Sequence, residues 1–218
     1  MKISDLIIDF FFPPVCICCK RALSTRSSIP FCKECYALLP TYKTEENKTI
    51  EDINIDRCYC LYEYDNYDVK GIIFHTKNIF SEKFGDFISN EMLKSLVSHN
   101  LNNKIDVITY CPRNEITIRE IGFDQAKELA KYLSQKINRP YDNLIIRRGK
   151  SAEQKFLTSK ERLLNVKDLF FFNENKDVRD KVVLLVDDVV TTGATVKECA
   201  KKLKENGARA VFVLAIAD

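Results

Sequence analysis

The stretch VVLLVDDVVTTGAT, residues 182–195, runs five apolar residues into two adjacent aspartates, two valines and a small-residue turn. An apolar run of this kind reads as a strand covered on both faces. The segment after it, TGATVKECAKKLKEN, reads as a helix, with Gly207 just past its end where a left-handed cap is expected. The same alternation recurs upstream. CYCLYEY, IDVITYC, LIIRR, LFFF and the final AVFVLAIA read as strands, and SKERLLNV reads as a short helix. FGDFISNEMLKSLVSH carries a helical stripe of Phe84, Phe87, Ile88, Met92, Leu93, Leu96 and Val97. DQAKELAKYLSQKI carries another of Ala126, Leu129, Ala130, Leu133 and Ile137. Buried strands separated by helices predict an α/β fold built on a parallel sheet. The 218 residues, 45% of them hydrophobic, suffice for one such domain with a small appendage. Ligands in these sheets bind beyond the carboxyl ends of the strands, and Asp187 and Asp188 stand at that edge.

The turn that follows has the chemistry of an anion cradle. A helix N-terminus offers free N–H groups and a partial positive charge. Gly193 lets the backbone approach an anion closely, and Thr191, Thr192 and Thr195 add hydroxyl donors around Ala194. The G-K-[ST] of a P-loop is absent, so the cradle suits one phosphate monoester better than a triphosphate. Two carboxylates beside a phosphate would repel it unless they serve another part of the same ligand: vicinal hydroxyls, or a Mg²⁺ that the ligand carries. A pentose 5-phosphate has that layout. Each residue alone fits an ordinary strand end, with Thr192 as helix cap; it is the combination that points to a site. The acid pair of a receiver domain is a poor alternative, because that pair precedes most of its domain and only 23 residues follow Thr195.

Nine cysteines, an odd number, argue against a fully paired disulfide framework. Cys16 and Cys19 form one C-x-x-C and Cys32 and Cys35 another, twelve residues apart, the spacing of a structural Zn²⁺ site with four thiolates and no open position. Cys18 can replace a neighbour at the first knuckle. Two redox or unpaired C-x-x-C pairs are the blander alternative. Cys58 and Cys60, on one strand face, read as apolar filler, and Cys111 and Cys199 as core thiols without a cysteine or histidine nearby. The expected organisation is a zinc module over residues 1–40, a polar linker over 41–57, and the main domain over 58–218. The net charge of +3 does not by itself signal nucleic-acid binding. No run is apolar enough to span a membrane, and MKISDLIIDFFFPP, broken by Asp5 and Asp9, does not read as a secretory signal, so a cytoplasmic protein is expected.

With those residues in view, VVLLVDDVVTTGAT resembles the ribose-phosphate motif of type I phosphoribosyltransferases, which bind 5-phosphoribosyl 1-pyrophosphate. FFPPVCICC with FCKEC, then CPRNEITIREIGFDQAKELA, then AEQKFLTSKERLLNV, then the aspartate motif occur in the order of the ComF family. The resemblance implies a type I phosphoribosyltransferase-like domain with a small N-terminal zinc module of four cysteines, associated with DNA uptake in natural transformation. It implies that Asp187 and Asp188 hold the ribose hydroxyls, directly or through Mg²⁺, as the catalytic pair. Residues Thr191, Thr192, Gly193, Ala194 and Thr195 would cradle the 5-phosphate, and the loop after IDVITY, with Arg113 and Arg119, would face the pyrophosphate. Arg147, Arg148 and Lys150 begin the segment that often closes over the ligand, and Gln154, Arg162 and Asn165 match family positions. The chain departs from the family's R-G-F-N-Q, reading Ile121-Gly122-Phe123-Asp124-Gln125, and Lys77 falls where the family often has lysine.

Three functions follow. One is a competence protein that binds phosphoribosyl pyrophosphate with Mg²⁺ and single-stranded DNA, the latter through Arg147, Arg148, Lys150 and Lys155 with Phe156 as a stacking ring. The second is an active phosphoribosyltransferase of nucleotide or base salvage. The third is a non-enzymatic adaptor for a helicase or channel component of the DNA-uptake machinery.

Overall fold

The computed structural model describes residues 13–24, 27–39, 50, 52–64, 67–148 and 169–218. Its centre is a four-stranded parallel sheet in the order β1 (Arg57–Tyr62), β6 (Ala210–Ala217), β5 (Val182–Val189), β2 (Val107–Tyr110). A two-stranded antiparallel ribbon pairs β3 (Ile145–Arg147) with β4 (Phe170–Phe172). The chain is thus the parallel-sheet α/β fold that the strand–helix alternation predicts.

Side-chain parity along the strands builds two cores. On β5, Leu184 and Val186 join one apolar cluster, with Leu214 and Ile216 of β6, while Val183 and Leu185 join another, with Val211 and Val213. Successive strand residues face opposite ways, so both faces are buried and no polar alternation survives. The first face is covered by α2 (Tyr67–Asn78), α3 (Glu82–Ser98) and α5 (Gln125–Ile137), the second by α6 (Ala194–Glu205) and the ribbon. Leu129, Ala130 and Leu133 of α5 are fully buried, as their spacing requires.

Besides a single turn of helix in the cysteine segment, two helices lie where the sequence reading has none. The helix α2 contains Gly71 and the pair Ile72–Ile73, poor helix formers that tertiary burial overrides: Ile72 is fully buried and Thr76 returns its hydroxyl to the Ile72 carbonyl at 2.8 Å. The helix α4 (Glu115–Ile121) stands in the expected loop after β2. It is capped by Asn114, whose Oδ1 accepts the Ile116 N–H at 2.9 Å, and closed by left-handed Gly122 at φ +95°.

The cysteine-rich segment rests on the first core. Phe31 packs on Phe87 of α3 with ring centroids 4.9 Å apart and the rings tilted by 56°, Tyr36 meets the same ring edge-on at 5.9 Å, and Cys16, Ile17 and Cys32 belong to that cluster. Cys32 caps the five-residue helix α1 (Lys33–Ala37). Among the described residues no helix is long and apolar enough to cross a membrane.

Candidate functional site

The strand β5 delivers both aspartates to its carboxyl end, and parity sends them to different neighbours. Asp187, in register with Ala215 of β6, lies on the α6 face and is 9% exposed. Its Oδ1 accepts the Asp188 N–H at 2.8 Å, and the buried Cys111 thiol lies near its carboxyl. Burial first, then the adjacent charge of Asp188, holds the Asp187 carboxyl well above the ordinary aspartate range. Asp188 projects to the other face, where its Oδ2 lies 3.9 Å from Lys77 Nζ at the end of α2. That end is pinned by Gln125, whose buried carboxamide donates to the Lys77 carbonyl at 3.0 Å.

The turn after β5 has the form an anion cradle needs. Gly193 is the N-cap of α6 at φ +74°, a left-handed conformation that favours glycine, and it provides no side-chain acceptor. Thr192 does not cap the helix; its Oγ1 accepts only a long 3.4 Å bond from the Ala194 N–H. Thr191 and Thr192 are exposed, and Ala194 and Thr195 are half-buried. Ile50 packs over this turn: a Cβ on Gly193 would lie 3.2 Å from Ile50 Cδ1.

A cavity of about 170 Å³ joins these parts, with Asp187, Asp188, Thr195, Arg113, Asp124 and Arg147 in its wall. Arg113 follows β2, and its backbone N–H donates to Asp124 Oδ2 at 2.9 Å. Asp124 is the N-cap of α5, accepting the Lys127 N–H at 3.3 Å, and so clamps the loop after β2 to the start of that helix. Burial raises its carboxyl, which the Arg113 and Lys127 N–H groups and the Arg113 charge oppose and the Asp188 charge reinforces. Arg113 Nη1 and Arg147 Nε are both buried without a hydrogen-bond partner among the described residues. A buried charged donor left unpaired is costly, so these two nitrogens could receive an acceptor from a ligand.

Other positions fall elsewhere. Arg119 sits on the outer face of α4 with its side chain 80% exposed, 3.7 Å from Glu115, and does not line this cavity. Arg147 lies over the Phe170 ring at 5.4 Å and is part of the cavity wall, while Arg148 is exposed over Phe171. Lys150, Gln154, Lys155, Phe156, Arg162 and Asn165 lie outside the described residues, as does the expected helix SKERLLNV. Cys58 and Cys60 are buried. Cys111 and Cys199 are buried core thiols, as read, and they lie near enough to each other and to Asp187 that, with burial as the main cause, the Cys111 thiol is raised well above the ordinary range. They come from β2's end and from α6, so no sequence spacing reveals their nearness.

The four cysteines of the two knuckles converge, and their Sγ atoms all lie within 4.8 Å of one another. Cys19 Sγ and Cys32 Sγ are 3.7 Å apart. A tetrahedral Zn²⁺ with bonds of about 2.3 Å sets its sulfurs about 3.8 Å apart, so the group can hold a metal ion. Cys16 belongs to it; Cys18 is half-buried beside it and packs on the core.

The sequence profile of the phosphoribosyl transferase domain matches residues 75–218. The chain is 39% identical over 93 residues to the DNA utilization protein YhgH of Escherichia coli, a match covering 42% of this chain and 40% of that protein. It is 36% identical over 98 residues to competence protein F of Haemophilus influenzae, covering 44% and 43%. A 39-residue stretch, 18% of this chain, is 56% identical to 12% of the ribose-phosphate pyrophosphokinase of Porphyromonas gingivalis. The matched region thus spans about two fifths of the YhgH and competence protein F relatives. From the profile, the parallel sheet and the relatives together, the chain belongs to the phosphoribosyl transferase domain family, in its ComF branch.

Proposed function

We propose that the cavity at the end of β5 binds 5-phosphoribosyl 1-pyrophosphate together with Mg²⁺. The observation that carries this reading is the convergence in one small cavity of the carboxylates of Asp187 and Asp188, a threonine at a helix N-terminus and two arginines with unpaired buried nitrogens, with Asp124 in the same wall. Thr191 to Thr195 take the 5-phosphate, and Asp187 and Asp188 take the ribose hydroxyls or the Mg²⁺. Arg113 takes the pyrophosphate, with Arg147 beside it; guanidinium groups match phosphate oxygens in pairs. Arg119 contributes from the outer face of α4 only if that helix turns. Mg²⁺ supplies charge neutralisation of the pyrophosphate when bound. Were transfer to follow, C1 would lose its bond to pyrophosphate oxygen and gain one to a nitrogen nucleophile. The chain's own residues would then act by positioning and by stabilising the leaving group's charge.

The cysteine cluster holds a structural Zn²⁺ in this reading. The names of the relatives, a DNA utilization protein and a competence protein, favour a role in handling DNA, which we take to be single-stranded. Arg148, exposed beside Phe171, is the described residue best placed for it, with Lys150 and Lys155 following in the chain. A cytoplasmic setting fits that role.

Calorimetric titration with phosphoribosyl pyrophosphate and Mg²⁺ tests the central claim. Saturable heat at one ligand per chain is expected, with affinity falling at least about tenfold in Asp188→Asn. A wild-type protein that gives neither heat nor thermal stabilisation refutes it. For the nucleic-acid part, affinity for a labelled single strand should fall steeply with salt, and an isotherm insensitive to salt would count against it.

A further inference from the structure

The last turn of α2 is held from outside the helix. The Lys77 carbonyl accepts the Gln125 carboxamide N–H at 3.0 Å, across 48 residues of sequence. Carbonyls at a helix C-terminus have no N–H left to take up within the helix, so this bond fills a need. Gln125 is 2% exposed at the first position of α5. A buried carboxamide is unfavourable there unless it is hydrogen-bonded, and an apolar side chain would carry no such cost. Two residues past α2, Phe80 adopts φ +39°, a left-handed backbone that a bulky side chain rarely takes. Its ring sits among Phe84, Phe123 and Tyr132, with centroids 5.8, 5.8 and 5.9 Å away. Phe123 immediately precedes Asp124 and Gln125. The end of α2 is thus fixed to the start of α5 twice, by a buried hydrogen bond and by an aromatic cluster that sustains a strained backbone. What this fixes is the Lys77 ammonium, 3.9 Å from Asp188 Oδ2. A bare Asp188 carboxylate would repel a ligand's phosphate; a cation at that distance offsets the repulsion and orients the carboxylate.

We propose that Gln125 is a positioning residue for the ribose end of the ligand: through the Lys77 carbonyl it places the Lys77 ammonium, and through that ammonium it sets the orientation and charge of Asp188. This role rests on the ribose-ligand reading above. Gln125 is also the cleanest place to probe it. Arg113, Asp124 and Arg147 line a second, larger cavity of about 370 Å³ beside Ile118, so a substitution at any of them alters two spaces at once. Gln125 lines the smaller cavity alone.

The test is calorimetric titration of the full chain with ribose 5-phosphate and, separately, with inorganic pyrophosphate, both with Mg²⁺ and beside thermal melts. Gln125→Met keeps the length of the side chain and removes its N–H. It should weaken ribose 5-phosphate about fivefold, and Lys77→Met about tenfold. The double variant should be no weaker than Lys77→Met alone, because the glutamine then has no ammonium to place. Inorganic pyrophosphate, taken by Arg113 and Arg147, should bind Gln125→Met as it binds wild type. If Gln125→Met fails to fold, Gln125→Glu, which keeps the shape and when ionised has no N–H to donate, takes its place. Effects of Gln125 and Lys77 that simply add would mean that Gln125 acts independently of Lys77, and would overturn the proposal. So would wild-type affinity of Gln125→Met for ribose 5-phosphate, or an equal loss of both probes, which is the mark of general damage. In each of those cases wild type still binds, and the ribose-ligand reading stands. A wild-type chain that binds neither probe refutes that reading, and this role with it.

Discussion

Asp187 and Asp188 are sequence neighbours with separate tasks, because a strand turns adjacent side chains to opposite faces. Asp188 meets Lys77 and Asp187 meets the Cys111 thiol, so one is tethered to a cation and the other is held in a poorly solvated site. The raised Asp187 carboxyl sets a pH dependence. Between the ordinary aspartate range and its raised folded value, the folded chain keeps a proton that the unfolded chain has lost. Stability therefore falls as pH rises through that window and is level above it. Asp187→Asn removes the buried charge. It should raise the melting temperature at pH 8, in the absence of ligand and Mg²⁺, by about 2–4 °C for roughly 1 kcal/mol, with little gain at pH 4. Its ligand affinity should fall at the same time. Thermal melts at the two pH values check this, and a gain that does not grow with pH would contradict the burial argument.

At the scale of elements, the cysteine segment is held from two sides: by whatever ion the four thiols take, and by Phe31 and Tyr36 on the Phe87 ring. A segment this short has no core of its own, so metal binding adds directly to its folding energy. Purified protein should carry about one zinc per chain. Stripping it with a chelator under reducing conditions should raise amide exchange in residues 13–39 and on the exposed face of α3 first. Exchange in β5 and β6 should change little, because one face of those strands belongs to the second core, which the segment does not join, and the other is covered mainly by α2, α3 and α5. Uniform loss of protection across the sheet would show that the segment is integral to the main core rather than docked on it. The other element of consequence is α4, which carries Arg119 away from the aspartates and at the same time makes Ile118 a wall of the larger cavity.

For the whole molecule, the site is assembled from five separate parts of the chain. The ends of β2 and β5, the starts of α5 and α6 and the strand β3 each contribute a side chain to a cavity beyond the sheet's carboxyl edge, and Lys77 at the end of α2 pairs with Asp188. A ligand that bridges them binds only the folded state. Phosphoribosyl pyrophosphate with Mg²⁺ at a hundred times its dissociation constant should therefore add about 2.7 kcal/mol, or about 5–10 °C in melting temperature for a chain of this length. Scanning fluorimetry over a ligand series checks the size and the logarithmic dependence. A shift equal to that from inorganic pyrophosphate alone would mean that the aspartates and the phosphate cradle take no part.

The pattern of strands and helices, the aspartate pair at a strand end, the glycine turn and the two C-x-x-C pairs were legible in the sequence. Each is a local property: a periodicity, a spacing, or a residue type that a short stretch of backbone demands. The helix α4 left local signals too, in Asn114 and Gly122, but at seven residues its apolar pattern is too short to compete with a loop. What the tertiary structure alone decided is which distant side chains meet. The Lys77–Asp188 ion pair, the clamp of Asp124 on the Arg113 backbone, Arg147 in the wall of both cavities, and the nearness of Cys111 to Cys199 all depend on sheet register and on which face each strand residue points to. Those are set by burial of apolar surface across the whole domain. A chain read one segment at a time holds no record of them.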